Sequence, residues 1–336
     1  MSGLRSRSRK LRVAILTNTV PAYRRPVLEA IAHDADVELR VFVSLPTKFA
    51  DAEAQKSLSL RYSKSINIRR RTVHRNAGTD QVEWLHIPLM LFFELLWFRP
   101  DVVISGDFGL RSVMALVATK CLGVPLVLWS EEIKENAVAA DRLQRWLRGL
   151  LMPRAQAFLV WGKPAVEYLK TWNVPDHKIH YCAQAVDNSF WRSRAQSHHK
   201  ESLRNALGLR GKVFLTVGRL MTRKGFDKLL MAWDSMPNSC KRDNVLIIAG
   251  GGPEEDNLLS VVRTRAIPNI MFVGPQDPEA LARWYSVADV FVFPSLVDVW
   301  GLVVNEAMAC GLPVLASIYA GASQELQSAL QINPYH

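Results

Sequence analysis

Three segments in the second half of the 336-residue chain carry residue types suited to binding an anionic ligand. The first reads VGRLMTRKGFDKLL, with Arg219 and Lys224 flanking the turn after a strand-like run that ends at Val217. Gly218 permits a tight turn there. Two cations beside it suit a diphosphate, because arginine binds phosphate bidentately and lysine adds a point charge. A solvated basic loop has the same composition. The second segment, AGGGPEEDNL, puts Gly250, Gly251 and Gly252 after a strand, where glycine lets the backbone approach a ligand closely. An ordinary strand-to-helix turn explains that run equally well. The third, PSLVDVWGLVVNEAMACGLPVLAS, places Asp298 and Gly301 in a loop ahead of a helix running through Glu306 to Ala309. Gly301, Leu302 and Val303 would open that helix with free N–H groups at the positive end of its dipole, which is an anion site. Glu306 lies more than a turn further on. Its carboxylate can accept hydrogen bonds from ribose hydroxyls, and Asp298 can do the same for a sugar. Both acids are also compatible with plain surface positions.

The elements that must position these groups read as alternating strands and helices. In the first half, Leu11–Thr17, Val37–Val43, Asp101–Ser105 and Pro125–Trp129 are apolar, β-rich runs, and Arg111–Leu122 is a helix ending at Gly123. In the second half, Val213–Val217, Val245–Ala249, Asn269–Val273, Val290–Phe293 and Pro313–Ala316 read as strands, with a helix over Gly225–Trp233. Continuous apolar strands alternating with helices imply parallel sheets covered on both faces. The expected fold is therefore α/β, with two doubly wound, Rossmann-like domains over residues 1–195 and 210–336 and a polar connector after Asp187. Ligands of such sheets bind at the carboxyl ends of the strands, and between two such domains the cleft is the expected site.

Composition narrows the partners. A formal net charge of +11 suits phosphorylated ligands or an anionic membrane surface. Part of the excess sits in MSGLRSRSRKLR, which reads as a disordered basic tail without the apolar core of a signal peptide. No zinc-finger spacing or other nucleic-acid motif is present. Cys121, Cys182, Cys240 and Cys310 are widely spaced and read as reduced, mostly buried thiols of a cytosolic protein. The most apolar stretch, Trp84–Phe98, is shorter than a membrane span and interrupted by His86, Pro88 and Glu94. It reads as a buried helix, with an interfacial membrane contact as the alternative.

The three segments together resemble family 4 of the retaining glycosyltransferases, also described as glycosyl transferases group 1. The pattern is Gly218-Arg219-Leu220, Lys224-Gly225, then Asp298 and Glu306 separated by seven residues, then Ala307-Met308-Ala309-Cys310-Gly311-Leu312-Pro313-Val314. The first half matches more weakly, through Arg99–Val103, Gly123-Val124-Pro125 and Ala185-Val186-Asp187. The resemblance implies a GT-B architecture and a nucleotide-diphosphate sugar as co-substrate, with no other cofactor and no metal. It implies that Arg219 and Lys224 neutralise the donor diphosphate, that Glu306 holds the ribose, and that the backbone around Gly252 and Gly301 approaches the donor. The first acid of the motif, usually glutamate, is Asp298 here and would contact the donor sugar. The first domain would hold a saccharide or lipid-linked acceptor, through the loop Pro21–Arg25 with Tyr23, Arg24 and Arg25. Glu131, after PLVLW, would steer the acceptor or support the reaction. A bacterial surface-polysaccharide or glycolipid pathway follows by the same analogy, with the protein cytoplasmic or peripheral on the inner face of the membrane and not bound to nucleic acid.

In one respect the chain departs from the family pattern. Only about 20 residues follow Pro313–Ala316, fewer than a full strand–helix unit with its crossover takes. The expectation is a second sheet lacking an edge strand and its closing helix. That leaves a truncated chain or a catalytically inactive partner subunit as rivals to an active transferase. A GT-B epimerase or phosphorylase is a further rival, although no pyridoxal-lysine site is identifiable.

Overall fold

A computed structural model of the chain describes residues 9–21, 23–45, 50–74, 79–88, 90–134, 142–326 and 328–335; side chains within 50–53 and 67–86 are not described. The chain divides after Ala183 into two compact units.

The first unit runs β1 (Leu11–Thr17), α1 (Arg25–His33), β2 (Val37–Val43), α2 (Ala50–Ser57), β3 (Leu60–Tyr62), β4 (Ile66–His74), β5 (Thr79–Ile87), α3 (Leu91–Phe98), β6 (Val102–Gly106), α4 (Leu110–Leu122), β7 (Leu126–Ser130), α5 (Arg142–Leu151), β8 (Ala157–Val160), α6 (Gly162–Lys170) and β9 (Ile179–Tyr181). Seven strands form one parallel sheet in the order β3-β2-β1-β6-β7-β8-β9. Its central strands are buried on both faces, as β-branched and leucine-rich runs require: Ala14, Leu16, Val103 and Leu128 are fully enclosed. Gly123 ends α4 in the left-handed conformation, φ 69°. β4 and β5 pair only with each other, as an antiparallel hairpin in register from Ile66↔Ile87 to His74↔Thr79.

The second unit runs α7 (Asn188–Ser197), α8 (Lys200–Ala206), β10 (Val213–Val217), α9 (Phe226–Ser235), α10 (Asn238–Asp243), β11 (Val245–Ala249), α11 (Glu255–Thr264), β12 (Ile270–Gly274), α12 (Pro278–Val287), β13 (Val290–Phe293), α13 (Leu302–Ala309), β14 (Val314–Ser317), α14 (Gly321–Glu325) and β15 (Leu330–Ile332). Its parallel sheet has the order β12-β11-β10-β13-β14-β15.

Four expectations change. The polar stretch after Asp187 is not a connector but two helices of the second unit. Asp187 caps α7 by accepting from Phe190 N–H at 2.9 Å, and Trp191 packs edge-on against Tyr285 at 5.6 Å. Lys200 and Arg204 of α8 both reach Asp289, which also accepts from Val213 N–H at 2.9 Å. Burial opposes ionisation of Asp289, but the Val213 N–H and the two cations hold its carboxyl below the usual range. The polar residues of this stretch are the outward faces of helices, which composition alone does not distinguish from a loop.

A further strand does follow β14 at the sheet edge, since β15 pairs with β14 from Leu315↔Leu330 to Ser317↔Ile332. The crossover fits because α14 spans only Gly321–Glu325. Trp84–Phe98 is not one helix: its first part belongs to β5, where Trp84, Leu85 and His86 side chains lie outside the described residues, and Leu89 does too. Its second part is α3, with Leu91, Leu95 and Phe98 buried while Phe93 and Trp97 are 59% and 78% exposed. Finally, all four cysteines are free, but Cys121, Cys182 and Cys240 are exposed and Cys310 is partly buried. Of the basic tail, residues 1–8 lie outside the described residues; Arg9 pairs with Asp101 at 2.8 Å, and Leu11 and Arg12 already belong to β1.

Candidate active site

In the second sheet the chain runs β10, β11, β12 to one edge and then returns to β13 on the other side of β10. The carboxyl ends of β10 and β13 therefore flank a topological switch point, where open α/β sheets bind ligands. The two loops leaving it are tied together: Leu296 N–H donates to Arg223 O at 2.9 Å, and Ser295 Oγ to the same carbonyl at 3.3 Å. The glycine loop after β11 lies on the other side of β10, with Gly218 N–H donating to Ala249 O and Leu220 N–H to Gly251 O, both at 3.0 Å. A Cβ on Gly252 would stand 2.3 Å from Leu220 O, so glycine is needed there for this close approach.

The loops that leave the switch point carry Arg219, Lys224, Asp298 and Gly301. Arg219, just past Gly218, is exposed and has no ion-pair partner among the described residues. Lys224 forms a salt bridge with Asp298, the two side chains being only 15% and 13% exposed. Lys224 Nζ also sits 5.5 Å from the centre of the Phe293 ring. Asp298 accepts from Trp300 N–H at 3.3 Å, while its own backbone bridges to Ala320. Gly301, at φ 94°, opens α13 without a side-chain cap, which leaves the first N–H groups of the helix, at Leu302 and Val303, unused by a cap. A Cβ on Gly301 would strike the Phe293 ring at 2.6 Å. Phe293 thus borders both the Lys224 ammonium and the start of α13.

Glu306, one turn into α13, accepts from the Tyr285 hydroxyl at 2.9 Å. Burial raises its carboxyl to about 7, against a smaller lowering by the tyrosine hydrogen bond. Burial, reinforced by Glu306, also pushes the Cys310 thiol up to about 12, so it stays a neutral thiol. Tyr285, Phe293 and Trp191 had no motif to mark them; they come from α12, β13 and α7. Among the described residues, no group of three or more His, Cys, Asp and Glu could hold a metal ion.

In the first unit the switch point falls between β1 and β6. Arg24, at the start of α1, forms a salt bridge with Glu131 after β7 and stacks over Trp129 at 4.7 Å and Trp161 at 5.5 Å. Tyr23 lies 5.6 Å from the same guanidinium. Arg25 pairs instead with Glu29 at 3.7 Å, one turn along α1, and Ala22 lies outside the described residues. Tyr23, Arg24 and Glu131 are thus brought together. Arg111, which the sequence did not single out, is 4% exposed and joins the loops after β1, β2 and β6 through Asn18, Ser44, Gly106 O and Asp107. Glu131 and Asp298 belong to different units.

Two Rossmann-like units in tandem, each built on a parallel sheet, define the GT-B class of fold. The likeness to solved structures agrees: Anabaena HepE in complex with UDP superposes with a TM-score of 0.75 at 15% identity, over 97% of this chain and 86% of that one. Residues 199–330 match the family model described as Glycosyl transferases group 1. That match lies within the second unit. It is 33% identical over 169 residues to a D-inositol 3-phosphate glycosyltransferase of Jonesia denitrificans, covering 47% of this chain and 40% of that protein. It is 30% identical over 227 residues to a GDP-mannose-dependent alpha-mannosyltransferase of Mycolicibacterium smegmatis, covering 65% and 56%. The chain thus spans about half the length of these curated relatives.

Proposed function

We propose that this protein is a retaining glycosyltransferase that moves a sugar from a nucleotide-diphosphate sugar to a saccharide or lipid-linked acceptor. The observation that carries the reading is that Lys224, in the loop after β10, pairs with Asp298, in the loop after β13, at the switch point between those strands, with an uncapped helix start following. As the sugar leaves, negative charge develops on the diphosphate. Arg219, Lys224 and the N–H groups of Leu302 and Val303 would stabilise that charge without a metal. Asp298 now neutralises Lys224; a bound diphosphate would draw the lysine away and leave the carboxylate for the sugar hydroxyls. Glu306 accepts from the ribose. On the acceptor side, Tyr23, Arg24 and Glu131 form an aromatic and charged cluster suited to a sugar ring and its hydroxyls. The names of the relatives and the UDP bound by HepE support a nucleotide-sugar donor. Surface polysaccharide or glycolipid synthesis at the cytoplasmic face of a membrane suits such a reaction and the net charge of +11.

Calorimetric titration with UDP, GDP and ADP tests the reading. One of them should bind, and Arg219→Ala or Lys224→Ala should weaken it by ~1.5–3 kcal/mol, the worth of a hydrogen bond to a charged group. A chain that binds none of them would overturn the reading.

A further inference from the structure

Glu306 is held in place by a side chain that no motif marks. Tyr285 lies on α12, whose register is set by Pro278 in its first turn and by Asp277 Oδ1, which accepts from Ala280 N–H at 2.8 Å. The ring is 1% exposed. Trp191 of α7 meets it edge-on at 5.6 Å and 90°, and Phe291 of β13 at 5.8 Å and 57°. Walled in this way, the phenol has few directions in which to donate, and a buried hydroxyl needs a partner. It donates to Glu306 Oε2 at 2.9 Å, with Val303 O at a long 3.4 Å. Only one carboxylate oxygen is used, and Oε1 has no hydrogen-bond partner among the described residues. α7 is fastened on the same side, since Cys310 Sγ donates to Trp191 O at 3.6 Å.

We propose that Tyr285 is a positioning residue: it pins Glu306 Oε2 so that Oε1 is presented to the ribose diol of the nucleotide, with Trp191 as the wall that fixes the tyrosine. The inference rests on the ribose reading of Glu306 given above. Burial, with Glu306 adding to it, lifts the Tyr285 hydroxyl well above its ordinary value, so it remains a donor throughout the neutral range.

The experiment compares UDP and GDP with their 2′,3′-dideoxy forms, by titration on the wild-type chain, Tyr285→Phe, Glu306→Gln and the double variant, with thermal unfolding alongside. The wild type should prefer the ribose form by about tenfold or more. Tyr285→Phe should cut that preference to about threefold or less, leave dideoxy affinity unchanged and still unfold cooperatively. The double variant should lose no more than either single one. Full ribose preference in Tyr285→Phe would overturn the inference. So would a Tyr285→Phe chain that fails to fold beside a folded Glu306→Gln, because the tyrosine would then serve the core. Full ribose preference in Glu306→Gln removes the ribose role and this inference with it, but leaves the phosphate contacts of Arg219 and Lys224 standing. If neither nucleotide nor its dideoxy form binds the wild type, the proposed function falls first and the inference with it.

Discussion

Glu306 carries two opposed consequences of its burial. Its carboxyl titrates at about 7 in the folded chain, against an ordinary value of 4.5. Between those values the folded state keeps a proton that the unfolded state has lost, so the group's contribution to stability falls as pH rises through that window. Acidification from about pH 8 to about pH 5 should therefore stabilise the second unit through this group, by up to ~3 kcal/mol. Nucleotide binding should move the other way, because a protonated carboxyl accepts ribose hydroxyls poorly, and affinity should fall by up to about tenfold per pH unit below 7. Thermal unfolding and titration across that range check both, and Glu306→Gln should flatten both. Asp298 has a different surrounding: it is neutralised by Lys224 and braced by Trp300 N–H. Asp298→Glu lengthens the arm by one methylene, and the expected outcome is a changed donor-sugar preference, read from initial rates with several nucleotide sugars.

The short loop from β13 to α13 depends on backbone that only glycine supplies. Gly301 combines φ 94° with a Cβ position 2.6 Å from the Phe293 ring, and that ring stacks at 6.5 Å on the fully buried Phe291. The ring therefore has little room to yield. Gly301→Ala should cost ~1–3 kcal/mol in backbone strain and a similar amount in overpacking. Gly123 is the control: it is also left-handed, at φ 69°, but nothing stands within 4 Å of its Cβ position. Gly123→Ala should cost only about 1 kcal/mol. Melting temperatures of the two variants decide it, the drop for Gly301→Ala being clearly the larger.

At the scale of the whole molecule, two expectations concern what belongs to what. A chain of residues 184–336 includes α7 and α8, whereas 210–336 discards Trp191 and the cations on Asp289. Losing a packed tryptophan alone costs ~3–5 kcal/mol, so the longer piece should unfold cooperatively in urea and the shorter should lack near-ultraviolet circular dichroism. The second expectation concerns membranes. Among the described residues no helix is long and apolar enough to cross one. Met90, Phe93 and Trp97 are nevertheless 43%, 59% and 78% exposed on one side of α3, with Arg40 stacked on Trp97 at 5.5 Å. Binding to anionic vesicles should fall with salt, at about 1 kcal/mol for each basic residue near the surface. Any salt-resistant remainder should vanish in Phe93→Ser with Trp97→Ser, measured by sedimentation.

Local order was legible in the residues themselves. The strands Leu11–Thr17, Val37–Val43, Val213–Val217, Val245–Ala249 and Val290–Phe293 match the structure residue for residue, because a strand within a covered parallel sheet is a short, largely apolar run. That Lys224, Asp298 and Gly301 sit in loops after strands, and Glu306 in the helix that follows, was legible too, since a strand end and a helix start are encoded within a few residues. Helices α7 and α8 were not, because their packing is supplied by Tyr285 and Asp289, far along the chain. The same reason hid the surroundings of the site. Tyr285 stands 21 positions from the carboxylate it holds and Lys224 stands 74 from its own. Residue types name the groups that can meet a nucleotide sugar. Which oxygen of Glu306 is held, which side of α3 faces water and which unit owns residues 188–206 depend on packing between distant segments, and only the folded chain brings those segments into contact.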